Sequence, residues 1–144
     1  AFSLTKRLIE VLRNGGIDLV IVNYANPDMV GHTGDLMATV EACEVVDDCI
    51  GNVLNELDRI GGCMVLTSDH GNAEEMYDHE KELVHKAHTL NKVPIAIIGY
   101  NNLNGLKDGS LSDIAPTILE MMNINHVNII KNMEIIVINI VEII

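Results

Sequence analysis

The chain has no tryptophan, one phenylalanine and three tyrosines in 144 residues. So few flat side chains leave no platform on which nucleotide bases could stack. Positive charge is also scarce: nine Lys and Arg stand against 21 Asp and Glu, for a formal net charge of −12. A surface of that sign repels phosphate backbones, and the two shortages together argue against a nucleic-acid partner. Cysteine is limited to Cys43, Cys49 and Cys63, with no CxxC spacing. An odd number of thiols in apolar contexts reads as reduced and buried, in an intracellular, cytoplasmic protein. No apolar run approaches the ~20 residues that a membrane span needs, and the first residues lack a signal-peptide core. The reading is therefore a soluble chain with no membrane partner.

What is present is hydrophobic patterning. Apolar residues make up 48% of the chain, which is ample for a packed core in one domain-sized unit. In "SLTKRLIEVLRNGG", Leu4, Leu8, Ile9, Val11 and Leu12 form a helical stripe that stops at Gly15. "IDLVIVNY" is a β-branched run that predicts a strand buried on both faces. The turn-rich "ANPDMVGHTG" follows. A long amphipathic helix is then expected from Asp35 to Ile60, with Leu36, Val40, Cys43, Val46, Ile50, Val53, Leu57 and Ile60 on its inner face. "CMVLTS" predicts a second buried strand, and after about twenty polar residues "VPIAIIG" predicts a third. "SDIAPTILEMM" reads as a helix capped by Ser112, with Pro116 in its first turn. The alternation implies an α/β layered fold, a largely parallel sheet flanked by helices.

The chemistry-bearing residues sit where the first two strands end and where the third begins. Asp28 and His32 are four apart in the loop after the first strand. A carboxylate with an imidazole suits Mn²⁺ or Zn²⁺ better than the all-oxygen preference of Ca²⁺. Asp69 and His70 follow the second strand directly, and Gly71 can turn both to one side. His85 and His88 stand just before the third strand, and either could be a ligand. Each segment alone fits an ordinary turn with a solvated histidine. Three of them at one edge of an α/β sheet, where such folds place ligands, favour a metal site. Ser68 is discounted as a nucleophile, because successive strand residues point to opposite faces and it diverges from Asp69.

"NYANPDMVGHTG", "LTSDHGNAEEM", "HTLNKVP" and "DIAPTILEMM" occur in an order and spacing that resemble the carboxyl-terminal part of the cofactor-independent (2,3-bisphosphoglycerate-independent) phosphoglycerate mutases of the alkaline phosphatase superfamily. The likeness covers roughly residues 3 to 122. Leu90 and Lys92 depart from the family's usual "HTTNPVP". The resemblance implies a partial alkaline-phosphatase-like domain at residues 1–122 and two Mn²⁺ ions. Asp28, His32 and His88 would hold one ion, Asp69 and His70 the other. It also implies a cytoplasmic, monomeric enzyme that interconverts 3- and 2-phosphoglycerate in glycolysis through a phosphoserine intermediate. The family's nucleophilic serine, a further aspartate ligand and its substrate-gripping arginines match nothing in this sequence. No catalytic or substrate-binding residue is assigned, and the chain alone is expected to be inactive. The rivals are a phosphopentomutase or phosphatase of the same superfamily, and a non-catalytic metal-binding remnant.

Residues 123–144, "NINHVNIIKNMEIIVINIVEII", hold nine isoleucines and five asparagines and fit neither a helical nor a strand period throughout. They replace the short ending usual in the family. Such a tail could pair with a sheet edge, but it reads better as a poorly specified, aggregation-prone extension.

Overall fold

A computed structural model describes residues 1–102, 105–124 and, as backbone, 135–140. Helix α1 (Phe2–Asn14) leads into strand β1 (Leu19–Tyr24), short helix α2 (Asn26–Gly31) and long helix α3 (Leu36–Ile60). Strand β2 (Cys63–Thr67) is followed by the two-residue strands β3 (Tyr77–Asp78) and β4 (Leu83–Val84), then by β5 (Ile95–Ile98), α4 (Ile114–Met121) and β6 (Ile135–Ile140). The main sheet has the order β1-β6-β2-β5, with β6 parallel to both β1 and β2 and β5 antiparallel to β2. It is a mixed α/β fold.

The helix ends have local causes. The Asp35 carboxylate accepts the Ala38 N–H at 3.1 Å and starts α3, and Gly61 in the left-handed region (φ 72°) ends it. Val46, Cys49, Ile50, Val53 and Leu57 pack with Leu8, Leu12, Val22, Tyr24 and Met64 into one core beneath the sheet. Burying each aliphatic side chain contributes about 1.5–3 kcal/mol. A second cluster, Cys63, Val65, Ile118, Met121 and Met122, fills the opposite face under α4. Burial pushes the Cys63 thiol's pKa up, as suits an inert core thiol.

Four expectations need correction. β2 is covered on both faces, but β1 is only partly so: Val22 and Tyr24 are buried on one face, whereas on the other Leu19 reaches the α4 cluster and Ile21, further along, is left 71% exposed. Leu36 is 54% exposed, since it lies in the first turn of α3, ahead of the stretch that packs. The last helix is introduced by a 3₁₀ turn at Leu111–Asp113, and its cap is a box between Ser110 and Asp113, not Ser112. Finally, Ile135–Ile140 is paired backbone, in an interior position and not at an edge. The remainder of the tail beyond Ile124 lies outside the described residues.

Candidate metal centre

β1 and β2 run parallel through β6, so the segments leaving their carboxyl ends emerge on the same rim. After β1 the chain does not form an open loop. Pro27 opens α2 with its φ already helical, and the single turn closes with the His32 N–H on the Asp28 carbonyl at 3.0 Å. An i, i+4 pair on a helical turn shares one face. That is why the Asp28 and His32 side chains meet, with Oδ1 and Nε2 3.2 Å apart.

The His32 ring is fixed from behind. Its Nδ1 lies 2.6 Å from the Lys86 carbonyl oxygen. A carbonyl can only accept, so Nδ1 carries the proton, and in the neutral ring Nε2 presents a lone pair. That lone pair faces Asp28 Oδ1 at 3.2 Å and His88 Nε2 at 3.1 Å, and His88 Nε2 is itself 3.2 Å from the same carboxylate oxygen. A proton on His88 Nε2 in a neutral ring, or a cation held between these atoms, would satisfy them.

His70 joins from β2. Its ring stacks on His88 with centroids 3.6 Å apart, and donor atoms of Asp28, His70 and His88 all lie within 4.8 Å of one another. His70 Nδ1 is buried without a hydrogen-bond partner among the described residues. A buried unpaired ring nitrogen is costly unless something ligates it. Asp69 is further from the group: half exposed, with Oδ1 3.7 Å from His70 Nε2.

His88 reaches this point because its segment is anchored to the strand-end turn. The Thr89 N–H donates to the Gly71 carbonyl at 2.8 Å. The Thr89 hydroxyl bonds the Glu74 carboxylate, while Asn91 Nδ2 donates to Glu74 Oε1 and Glu75 Oε2, both at 2.9 Å. His85 is held elsewhere, its Nδ1 2.9 Å from the carbonyl of Glu75, just before the β3–β4 hairpin. Ser68 is buried, and its hydroxyl donates to the His70 carbonyl at 2.6 Å, so it is turned into the strand end.

Sequence reasoning missed Asn72. This buried side chain donates from Nδ2 to Asp28 Oδ1 at 3.1 Å, tying the β2 turn to the α2 carboxylate. The site leaves room for it only because residue 31 is glycine: a Cβ there would overlap Asn72 Oδ1. The visible signal was "GN" immediately after Asp69-His70, which spacing rules do not flag. The arginines are all on helices away from the rim, with Arg7 paired to Glu10 and Arg13 and Arg59 to Glu56.

The chain as a whole is similar to known proteins. The profile of the Metalloenzyme superfamily matches residues 1–126. The chain is 54% identical over 109 residues to the 2,3-bisphosphoglycerate-independent phosphoglycerate mutase of Roseobacter denitrificans, covering 76% of this chain and 22% of that protein. To the enzyme of the same name from Wolbachia pipientis it is 50% identical over 129 residues, covering 89% of this chain and 25% of the relative. The chain thus spans about a quarter of the length of the curated relatives it matches. Among solved structures it resembles Leishmania mexicana phosphoglycerate mutase, crystallised at low cobalt concentration. There the TM-score is 0.61 at 36% identity over 67% of this chain and 20% of the other.

Proposed function

Because the chain belongs to the Metalloenzyme superfamily, we propose that its rim is a divalent-metal centre and that it forms part of a phosphoglycerate mutase. The observation that carries this reading is the convergence of Asp28, His32, His70 and His88. The Lys86 carbonyl holds the His32 lone pair inward, and His70 Nδ1 has no partner among the described residues. Carboxylate with imidazole is the donor set expected for Mn²⁺ or a similar ion.

In this reading Asp28, His32 and His88 hold one ion, and Asp69 and His70 contribute to a second. When bound, such ions lower the pKa of a coordinated hydroxyl and disperse charge on a transferring phosphoryl group. The chain's own part is placement. Asn72 orients the Asp28 carboxylate, Lys86 fixes the His32 tautomer, and the Thr89–Glu74–Asn91 bonds hold the His88 segment against the β2 turn.

The whole protein would be a cytoplasmic enzyme of glycolysis with a larger, mainly parallel alkaline-phosphatase-like sheet. It would shift the phosphoryl group between the 3- and 2-positions of glycerate through a phosphoserine. The Ser68 hydroxyl is engaged by the His70 carbonyl and the three arginines are paired with glutamates on helices, so in this reading the nucleophile and the carboxylate clamp come from outside these residues. The 144-residue chain therefore binds Mn²⁺ but does not turn over phosphoglycerate.

Calorimetric titration of the purified chain with Mn²⁺, alongside an Asp28→Ala variant, tests the metal centre. Uptake that is abolished in the variant supports it, and identical weak uptake by both overturns it. A coupled assay for 2-phosphoglycerate tests the rest: measurable turnover by the 144 residues would refute the missing-nucleophile reading.

A further inference from the structure

We propose that the isoleucine-rich strand β6 is a spacer that sets the distance between the two ligand-bearing segments of the rim. This rests on the metal reading above, but it concerns a part of the chain that no metal-ligand argument touches. β1 and β2 are not neighbours in the sheet. Each pairs in parallel with β6, in rows that run Leu19–Ile135–Cys63 through Asn23–Asn139–Thr67. One strand inserted between two others separates them by roughly 9–10 Å, twice the ordinary interstrand spacing. Asp28 leaves β1 and His70 leaves β2, yet their donor atoms and that of His88 fall within 4.8 Å of one another. The rim closes only because its two halves start from that separation and that register.

Magnitudes show why the spacer matters. Metal–ligand distances tolerate about ±0.2 Å. Without β6, β1 and β2 would either pair directly, drawing together by about 5 Å, or lose lateral contact altogether. A one-row slip would move each loop by about 3.3 Å along the strand. Every one of these shifts exceeds the tolerance by more than tenfold. The superfamily match ends at residue 126, so β6 lies beyond the matched stretch.

The test uses the full chain. Hydrogen exchange read residue by residue should find the amides of Ile135–Ile140 as protected as those of β1 and β2. Val137 sits mid-ladder, in the row Ile21–Val137–Val65. Proline there removes a ladder donor from a central strand. Val137→Pro should speed exchange in β1 and β2 and weaken Mn²⁺ binding by about tenfold or more, while α1 and α3 stay protected. Val137→Thr, which keeps β-branching, should change neither. Unprotected amides at 135–140 in the wild-type chain would overturn the proposal, as would a proline variant with unaltered Mn²⁺ affinity. Loss of α1 and α3 protection as well would make β6 a general folding requirement and overturn its assignment as a spacer. A wild-type chain with a protected β6 but no Mn²⁺ uptake would instead refute the metal reading, so the two failures stay distinct.

Discussion

The two halves of the rim leave equivalent ends of parallel strands, but they are prepared to different degrees. On the β1 side, Asp28 receives the Asn72 amide, His32 is held by the Lys86 carbonyl, and both sit on one helical turn. On the β2 side, Asp69 is half exposed and approaches only His70, whose Nδ1 has no partner among the described residues. Side chains already locked in place lose little freedom on binding a ligand, whereas free ones must be ordered by it. The β1 half is therefore a preorganised site and the β2 half an unfinished one. A first ion should bind through Asp28, His32 and His88, with His70 at its margin, and a second should bind much more weakly.

Removing a ligand from the prepared half is the severest way to break this contrast. Asp28→Ala should weaken the first Mn²⁺ by more than about 100-fold, or about 2.7 kcal/mol, in a calorimetric titration. A change of under tenfold would mean that the carboxylate is not central to the cluster. Next comes the support behind the ligand. Asn72→Ala leaves all donors in place but frees the Asp28 carboxylate, and an outer partner of this kind typically contributes 10–100-fold. Gly31→Ala should mimic it, since its Cβ would displace Asn72 from the same position. If Asn72→Ala binds like wild type, the preparation of the β1 half is not what sets affinity. Asp69→Ala, in the unfinished half, should lower first-ion affinity by less than about tenfold, below the range for an outer partner on the prepared side. Equal losses from Asp69→Ala and Asp28→Ala would erase the difference between the halves.

The same contrast explains what could be read from sequence. The meeting of Asp28 and His32 was legible because they stand four residues apart, although α2 itself was not. At six residues it is too short for hydrophobic periodicity to register, and only Pro27 hinted at it. α3 was legible almost to the residue, because 25 residues of period and a capping aspartate reinforce one another. Asn72 was not, since its value lies in a tertiary partner 44 positions away that spacing rules do not see. The exposure of Ile21 was misread for a related reason: a β-branched run indicates strand, but only tertiary packing shows how far a helix covers each face. β6 lies at the far end of this scale. Its parallel partners are more than a hundred and about seventy residues back in the chain, and an isoleucine run states no register by itself.

The smallest expected effect on metal binding comes from the opposite end of the sheet, and it tests whether the difference between the halves is local. α3 begins beside the rim and ends where β2 begins, so Glu56 lies near the sheet's other edge. Its carboxylate is buried between Arg13, at 2.9 Å, and Arg59. Hydrogen bonds and charge from the two guanidinium groups, Arg13 foremost, hold its pKa below the ordinary 4.5. A depressed folded-state pKa contributes stability that is fully present above the unfolded value and is lost as pH falls through the folded one. Glu56→Gln should therefore lower the thermal midpoint at pH 7, and the gap from wild type should shrink as the pH is taken below about 4.5 and close once wild-type Glu56 is protonated. Mn²⁺ affinity at pH 7 should be unchanged, because nothing at the rim touches this ion-pair group. A variant that lost metal binding along with stability would show that the prepared half depends on the whole helix layer, not on Asn72 and Lys86 beside it.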